Sequence, residues 1–537
     1  MKLINVIYSS VFLLFFLLIS TSALSAQNSD GFVDFKELDK NSLNEIHITV
    51  AESNWQYLLD SLRYNGDDQY EIEQVAINGN NYQNAAISYV QESSFKADQQ
   101  QRSLLLNVDG NPLKLVKFGK DPSLVREMVA TEIYSNFMVV PQVAYTKVYV
   151  NKKFYGLLLA REQVTKSFVQ QHFGNRHSAE PLKTIPEFAL DSSSDCLSNN
   201  YGALKQEIDP ACLDKLYTGG KGSDLVKLTE ELKSEGGNPG QLLDIESAIW
   251  MLALNDVTMN FNSYNGFKST NYYLVEDQFG RYNFVPFDFE LAFGAKKRVT
   301  SQSDYSMTQM AELPLAFHLE DAKYPLINKL LQEDDHFRSY ISNCRAIVKE
   351  YYVSGKYLEI AASYQSLIDE VLDQDPMLKT QKDRILNNLT MTVGRRSKIP
   401  GIQEIVEARE EFLKKETILK ILGPKLMDYS FIQRQRFSNV KIEDFVLSVE
   451  TDQFTEAVKV HYRFSDKQPF VSTNLMDDGV HHDEKSNDKI FGVKISPPDG
   501  FEDLEFYFEV DNSKMKSYYP NNFDRKTLKA NLKTLNE

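Results

Sequence analysis

The stretch TNYYLVEDQFGRYNFVPFDFELAFG, Thr270 to Gly294, decides how the rest of the chain is read. Two runs rich in aromatic and β-branched residues, NYYLV and RYNFVPF, flank EDQFG, so the spacing predicts a β-hairpin. Counted outward from the turn, Asn271 and Asp288 fall roughly opposite each other at the open end. Asp288 and Glu290 then interrupt a run of Phe287, Phe289 and Phe293. An amide oxygen and a carboxylate at a hairpin mouth are candidate ligands for one hard cation such as Mg²⁺. On the residues alone the alternative is structural: Asp288 caps a turn and Asn271 bonds a neighbouring backbone group.

Working outward, Asp121-Pro122 marks a helix start, Asp at the N-cap and Pro at the first helical position. Val125, Met128, Val129 and Ile133 keep helical spacing behind it. VAYTKVYV and YGLLLAREQV, joined across Asn151 to Gly156, read as a second hairpin, and Asp244 to Met259 as a helix. After Asp288 the chain is expected to be mostly helical to about Lys415. Past about Pro424 the pattern changes to period two, in AVKVHYRF and LEFYFEV, which predicts a small β-sandwich.

An apolar fraction of 42% supports a sizeable core, and a net charge of −16 argues against non-specific binding to nucleic acid. The start of the chain reads as a secretory signal: Lys2, the apolar run Val11 to Ile19, then small residues from Ala23 to Ala26. That run is short for a membrane anchor, the alternative reading. The expectation is therefore export, to the cell surface, the medium or a periplasm. Of the three cysteines, Cys196 and Cys212 bracket a polar loop and are expected to pair, while Cys344 lies on an apparent helix.

LALNDVTMNFNSYNGFKSTNYYLV, running into VPFDFELAFG, resembles the CotH kinase family, the spore-coat-protein-H-like atypical protein kinases. That family shows an Asn-x-Asp loop, a later Asn before a Tyr-rich strand, and a Pro-Trp-Asp-x-Asp/Asn segment ending in Phe-Gly. The likeness continues through DPSLVREMVATEIYSNF, KVYVNKKFYGLLLAREQV, YPLINKLLQEDDHFRSYI and IVEAREEFLKK, and so spans about Phe32 to Lys415. It implies an α+β fold. A signal peptide (1–26) precedes a divergent two-lobed protein-kinase-like domain (27–420), β-rich in its N-lobe and mainly helical in its C-lobe. The all-β sandwich follows at 425–537.

By position, Asp288 resembles the family's metal-binding Asp, Asn271 its companion, and Glu290 the residue where a second Asp or Asn stands. Glu127 resembles the acidic partner of a nucleotide-contacting base, and the connector at Glu162, Gln163 and Val164 the segment that receives adenine. The resemblance implies ATP, Mg²⁺ and phosphate transfer to Ser or Thr of a protein partner. Two departures stand out. Asn262 occupies the catalytic Asp position, where an amide cannot accept a proton as a carboxylate does; Asp256 is the nearest carboxylate able to compensate. In the N-lobe, Gln91 or Glu92 falls where a Gly loop approaches phosphate. Arg102 is the positional match for the nucleotide Lys, with Lys114 and Lys117 as substitutes. The rival reading is accordingly a pseudokinase that binds surface partners. A hydrolase has no Gly-x-Ser-x-Gly or His-Glu-x-x-His to support it. In the sandwich, MDDGVHHDEKSNDKIFGVKI offers Asp477, Asp478, Asp483 and Asp488 as a candidate Ca²⁺ loop; the alternative is a solvated acidic turn.

Overall fold

The computed structural model describes residues 35–65, 69–90, 101–174, 180–185, 204, 212–220, 223–234, 236–300, 303–436, 441–483, 485–501 and 503–530. The expected signal segment, Gln91, Glu92 and Cys196 lie outside them. Cys212 is disulfide-bonded, and Cys344 is a buried free thiol.

Among the described residues, nine strands form the first sheet. At its heart is the hairpin of Val143–Val150 and Lys153–Arg161. Asn151 and Lys152 both take positive φ, 48° and 65°, which suits the tight turn of a twisted hairpin. Strand Asn111–Val116 pairs beside it and sets Lys114 opposite Arg161. Strands Ala85–Tyr89 and Leu104–Val108 alternate buried and half-buried residues, and Ile46, Ile77, Ile87, Leu106 and Leu115 share a core of their own.

The helix expected to start at Asp121 spans Arg126–Ser135. Leu124 adopts positive φ, 61°, and interrupts the expected helix start. Asp121 instead holds the turn leading in. Its carboxylate accepts the Ser123 and Arg126 amides at 2.8 Å each and pairs with the Arg126 guanidinium at 2.6 Å.

A second sheet is built from Leu182–Thr184, Tyr217–Thr218, Tyr272–Glu276 and Tyr282–Pro286. Its hairpin pairs Tyr272 with Pro286. Phe287 therefore faces Asn271, donating its N–H to the Asn271 carbonyl at 3.1 Å. Asp288 stands one residue further out than the count from the turn suggested. Beneath lies helix Ile245–Val257, capped by Asp244, which accepts the Ser247 amide at 3.0 Å. Its Trp250, Leu252 and Leu254 join the largest core with Tyr340 and Ile341 of helix Asp334–Ile347 and Ile402 and Ile405 of helix Ile402–Leu413.

The fold is thus mixed α and β, with sheets returning at the C-terminal end. Helical structure ends with Thr417–Lys420, and strand Leu426–Arg436 follows. Among the described residues a three-stranded and a five-stranded sheet enclose Phe445, Leu447, Val449, Val460, Phe506 and Phe508. The other face of strand Leu504–Asp511 turns Tyr507 toward the helical lobe, where Tyr518 and Phe523 also enter the largest core. No helix among the described residues is long and apolar enough to cross a membrane.

Candidate active site between the two sheets

The Phe–Asp–Phe pattern is an anchoring device. Phe289 packs on Tyr134 with ring centroids 4.3 Å apart, and Phe287 on Tyr273 at 4.9 Å. Held on both sides, Asp288 takes positive φ, 60°, and points its carboxylate into the space between the sheets. Asp tolerates this conformation better than most residues.

The base that meets it is Arg161, at the end of strand Lys153–Arg161. One Nη2 donates to Glu127 Oε2 and to Asp288 Oδ1, the latter at 3.1 Å. Glu127 sits in the first turn of helix Arg126–Ser135. Burial pushes its carboxyl up, while the Arg161 guanidinium pulls it back toward the charged form. Burial also opposes the Arg161 charge, but Glu127, Asp288 and Glu290 more than offset it, so the guanidinium stays protonated.

Two lysines complete the cluster. Lys114 comes from the first sheet and Lys183 from the second, where it pairs in register with Tyr273. Their charges are close enough to influence each other and that of Arg161. The Lys183 Nζ lies 5.0 Å from the Phe287 ring centroid and 5.4 Å from that of Tyr273. Burial and the neighbouring lysine push Lys114 down to about 8, and burial lowers Lys183 as well.

The other expected site residues are placed as follows. Asn262 donates its Nδ2 to the Asp288 carbonyl at 3.3 Å, and Asn271 donates its Nδ2 to the Asn262 carbonyl at 2.8 Å. The three thus gather at one corner. Glu290 faces away: its Oε1 accepts the amides of Gly119, Lys120 and Asp121, at 2.9, 2.5 and 3.3 Å. It ties the second sheet's loop to the loop before helix Arg126–Ser135. Asp256 does not compensate for Asn262. It is buried and accepts from Tyr340, Asn265 and the Ala316 amide, a structural junction.

Arg102 pairs with Asp60 and lies 4.7 Å from the Tyr89 ring centroid, so the base on Glu127 is Arg161 rather than Arg102. At the connector, Glu162 Oε2 accepts the Gln142 amide at 2.9 Å. Gln163 folds back so that its Nε2 donates to the Arg161 and Glu162 carbonyls, at 3.0 and 3.1 Å.

Arg161 stands opposite Lys114, but that pairing joins strands distant in sequence, so no local signal pointed to it. Lys183 carried no signal: its strand is three residues long. The candidate Ca²⁺ loop is not supported. Asp477 accepts the Asp488 and Lys489 amides, Asp478 those of Val480 and His481, and Asp483 that of Gly479. These carboxylates shape the turn, and no group of three acidic, His or Cys side chains suited to a metal occurs among the described residues.

The corner at Asp288 also fits a resident Mg²⁺ poorly. Mg²⁺ needs close oxygen donors in near-octahedral array. Here one oxygen of Asp288 faces a guanidinium and Glu290 is spent on backbone amides, so the corner offers a single carboxylate already shared with Arg161.

A β-rich lobe, a mainly helical lobe and an ion cluster between them define a kinase-like protein. The chain belongs to the CotH kinase family: the family model described as CotH kinase protein matches residues 85–413. Curated proteins offer no match. Among solved structures, the chain is similar to the Helicobacter pylori proinflammatory kinase CtkA. Identity is 12% over 56% of this chain and 96% of that one, with a TM-score of 0.23.

Proposed function

We propose that this chain is an exported kinase-like protein that binds a nucleotide between its lobes and has lost most of its capacity for phosphate transfer. The observation that carries the reading is a set of three cations near Asp288: Arg161 on its carboxylate, Lys114 opposite Arg161 in the first sheet, and Lys183 from the second. Such a set matches the charge of a nucleotide's phosphates and is costly to bury without them. The loss of transfer follows from Asn262. Its amide takes no proton from an attacking hydroxyl, and Asp256, the substitute the sequence offered, is locked in a buried network. Export rests on the apolar, Lys-led start of the chain and its small-residue cleavage site.

The test is thermal unfolding with ATP, with and without Mg²⁺. A ligand bound to the folded state must raise the transition temperature by mass action. No shift under any condition removes nucleotide binding and leaves a scaffold for a surface partner.

A second reading, Mg²⁺-dependent transfer to protein Ser or Thr, is favoured by one arrangement: Asn262, Asn271 and Asp288 share a corner as the family pattern implies. Labelled phosphate appearing on a protein acceptor supports it.

A further inference from the structure

The cluster between the sheets is electrostatically unusual. Glu127 and Asp288 are both engaged by Arg161, and Glu290 is held by backbone amides. Lys114 and Lys183 then act on each other from the two sheets, and among the described residues neither forms an ion pair with a carboxylate. Like charges near each other at a partly buried site repel, and an anion between them removes the cost. Arg161 is also incompletely used, since its buried Nε has no hydrogen-bond partner among the described residues.

We propose that this cleft takes a polyphosphate chain directly on Lys114, Lys183 and Arg161, and that Arg161 stands where a divalent cation is expected beside Asp288, so that binding needs no metal. The inference rests on the nucleotide-binding reading and goes further, in naming the phosphate chain as the recognised part and removing the metal from its recognition. The guanidinium bridges Glu127 and Asp288 permanently, a neutralising role a metal fills elsewhere. Both lobes contribute: Lys114 and Arg161 from the first sheet, Lys183 from the second. An anion between them therefore draws the sheets together. The adenine side contributes less, because the Gln163 amide already occupies the Arg161 and Glu162 carbonyls.

A phosphate chain can come from a nucleotide or from inorganic polyphosphate, and the experiment separates them. The full chain is titrated calorimetrically with ATP and with tripolyphosphate, each in EDTA and each in Mg²⁺. Both ligands are expected to bind in EDTA, more weakly as salt rises. Lys183→Met should weaken both about tenfold or more, the range for a charge-assisted contact. Lys183 lies on a short strand at the cleft, and far-ultraviolet circular dichroism checks that the variant is folded. ATP binding only in Mg²⁺ overturns the inference and leaves the nucleotide reading standing. ATP binding in EDTA without tripolyphosphate binding overturns the phosphate-chain part, placing recognition on the base. Binding of both ligands that is unchanged in folded Lys183→Met overturns the assignment of the site. If neither ligand binds in either condition, the nucleotide reading falls too.

Discussion

Arg161 Nη2 lies 3.1 Å from Asp288 Oδ1, so a guanidinium on the first sheet closes on a carboxylate that leaves the second. The same nitrogen holds Glu127 on the helix between them. One side chain thus joins three elements far apart in sequence, and the charge state of the cleft turns on it.

Asp288→Asn separates two roles for this carboxylate. Asn keeps the shape and tolerates the positive φ of the site. The lost ion pair is partly exposed, so the expected change in unfolding free energy is about 1 kcal/mol or less. If polyphosphate sits directly on the three cations, removing a nearby negative charge should tighten its binding in EDTA by about three- to tenfold. Calorimetry reads the sign. Binding that weakens on this substitution in Mg²⁺ argues instead that Asp288 recruits a cation the ligand needs.

Asn262→Asp restores a proton acceptor beside the Asp288 carbonyl. General-base help is worth about 10² to 10⁴ in rate, so phosphate transfer from labelled ATP to a protein acceptor should rise by that order. A variant that binds nucleotide and still transfers nothing places the block elsewhere in the cleft.

Much of this fold was legible because its signals are local. The Thr270–Gly294 hairpin, the Val143–Arg161 hairpin and the period-two strands after Pro424 follow from alternation and turn residues. The helix start at Asp121 was misplaced because an Asp-Pro pair also suits a tight turn, and here Asp121 spends its carboxylate on Ser123 and Arg126. The site was only partly legible. Asn262, Asn271 and Asp288 could be aligned by motif, but their partners arrive across the sheets. Arg161 reaches Glu127 over 34 positions of sequence and Asp288 over 127. Nothing local distinguishes such a residue from an ordinary strand-end Arg. Glu290 shows the converse: an acidic residue next to a candidate metal position that three backbone amides claim first.

Ending the chain at Pro424 tests the proposed boundary. The C-terminal sheets have their own core, so a fragment from 425 should keep strand signal and unfold cooperatively. The rest of the chain should suffer more. Tyr507, Tyr518 and Phe523 complete its largest core, Lys516 pairs with Asp335 at 2.6 Å, and Arg338 pairs with Asp511. Uncovering that surface should lower its unfolding temperature by a few degrees, since about 1 kcal/mol shifts a domain of about 150–250 residues by about 2–4 °C, a larger one by less, and several contacts are lost together. Calorimetry on the truncated chain gives the answer, and an unchanged transition means the contact contributes nothing.

The same junction predicts a pH dependence. Glu246, in the first turn of helix Ile245–Val257, has a buried Oε2 with no hydrogen-bond partner among the described residues. Burial pushes its carboxyl up to about 8, with Asp244 and Asp524 adding repulsion that Lys516 only partly offsets. A folded-state pKa above the unfolded one means the native protein binds the extra proton. The stability it contributes is fully present below the ordinary carboxyl range and is lost as pH rises through about 8. Glu246→Gln removes that titration. The variant should match the parent near about pH 5 and exceed it by about 1 kcal/mol near about pH 9, the scale for an unsatisfied buried polar group. Urea unfolding at the two pH values measures the difference. A gap of equal size at both, or one that opens toward acid, would mean that the Glu246 carboxyl is ionised and paired in the folded protein.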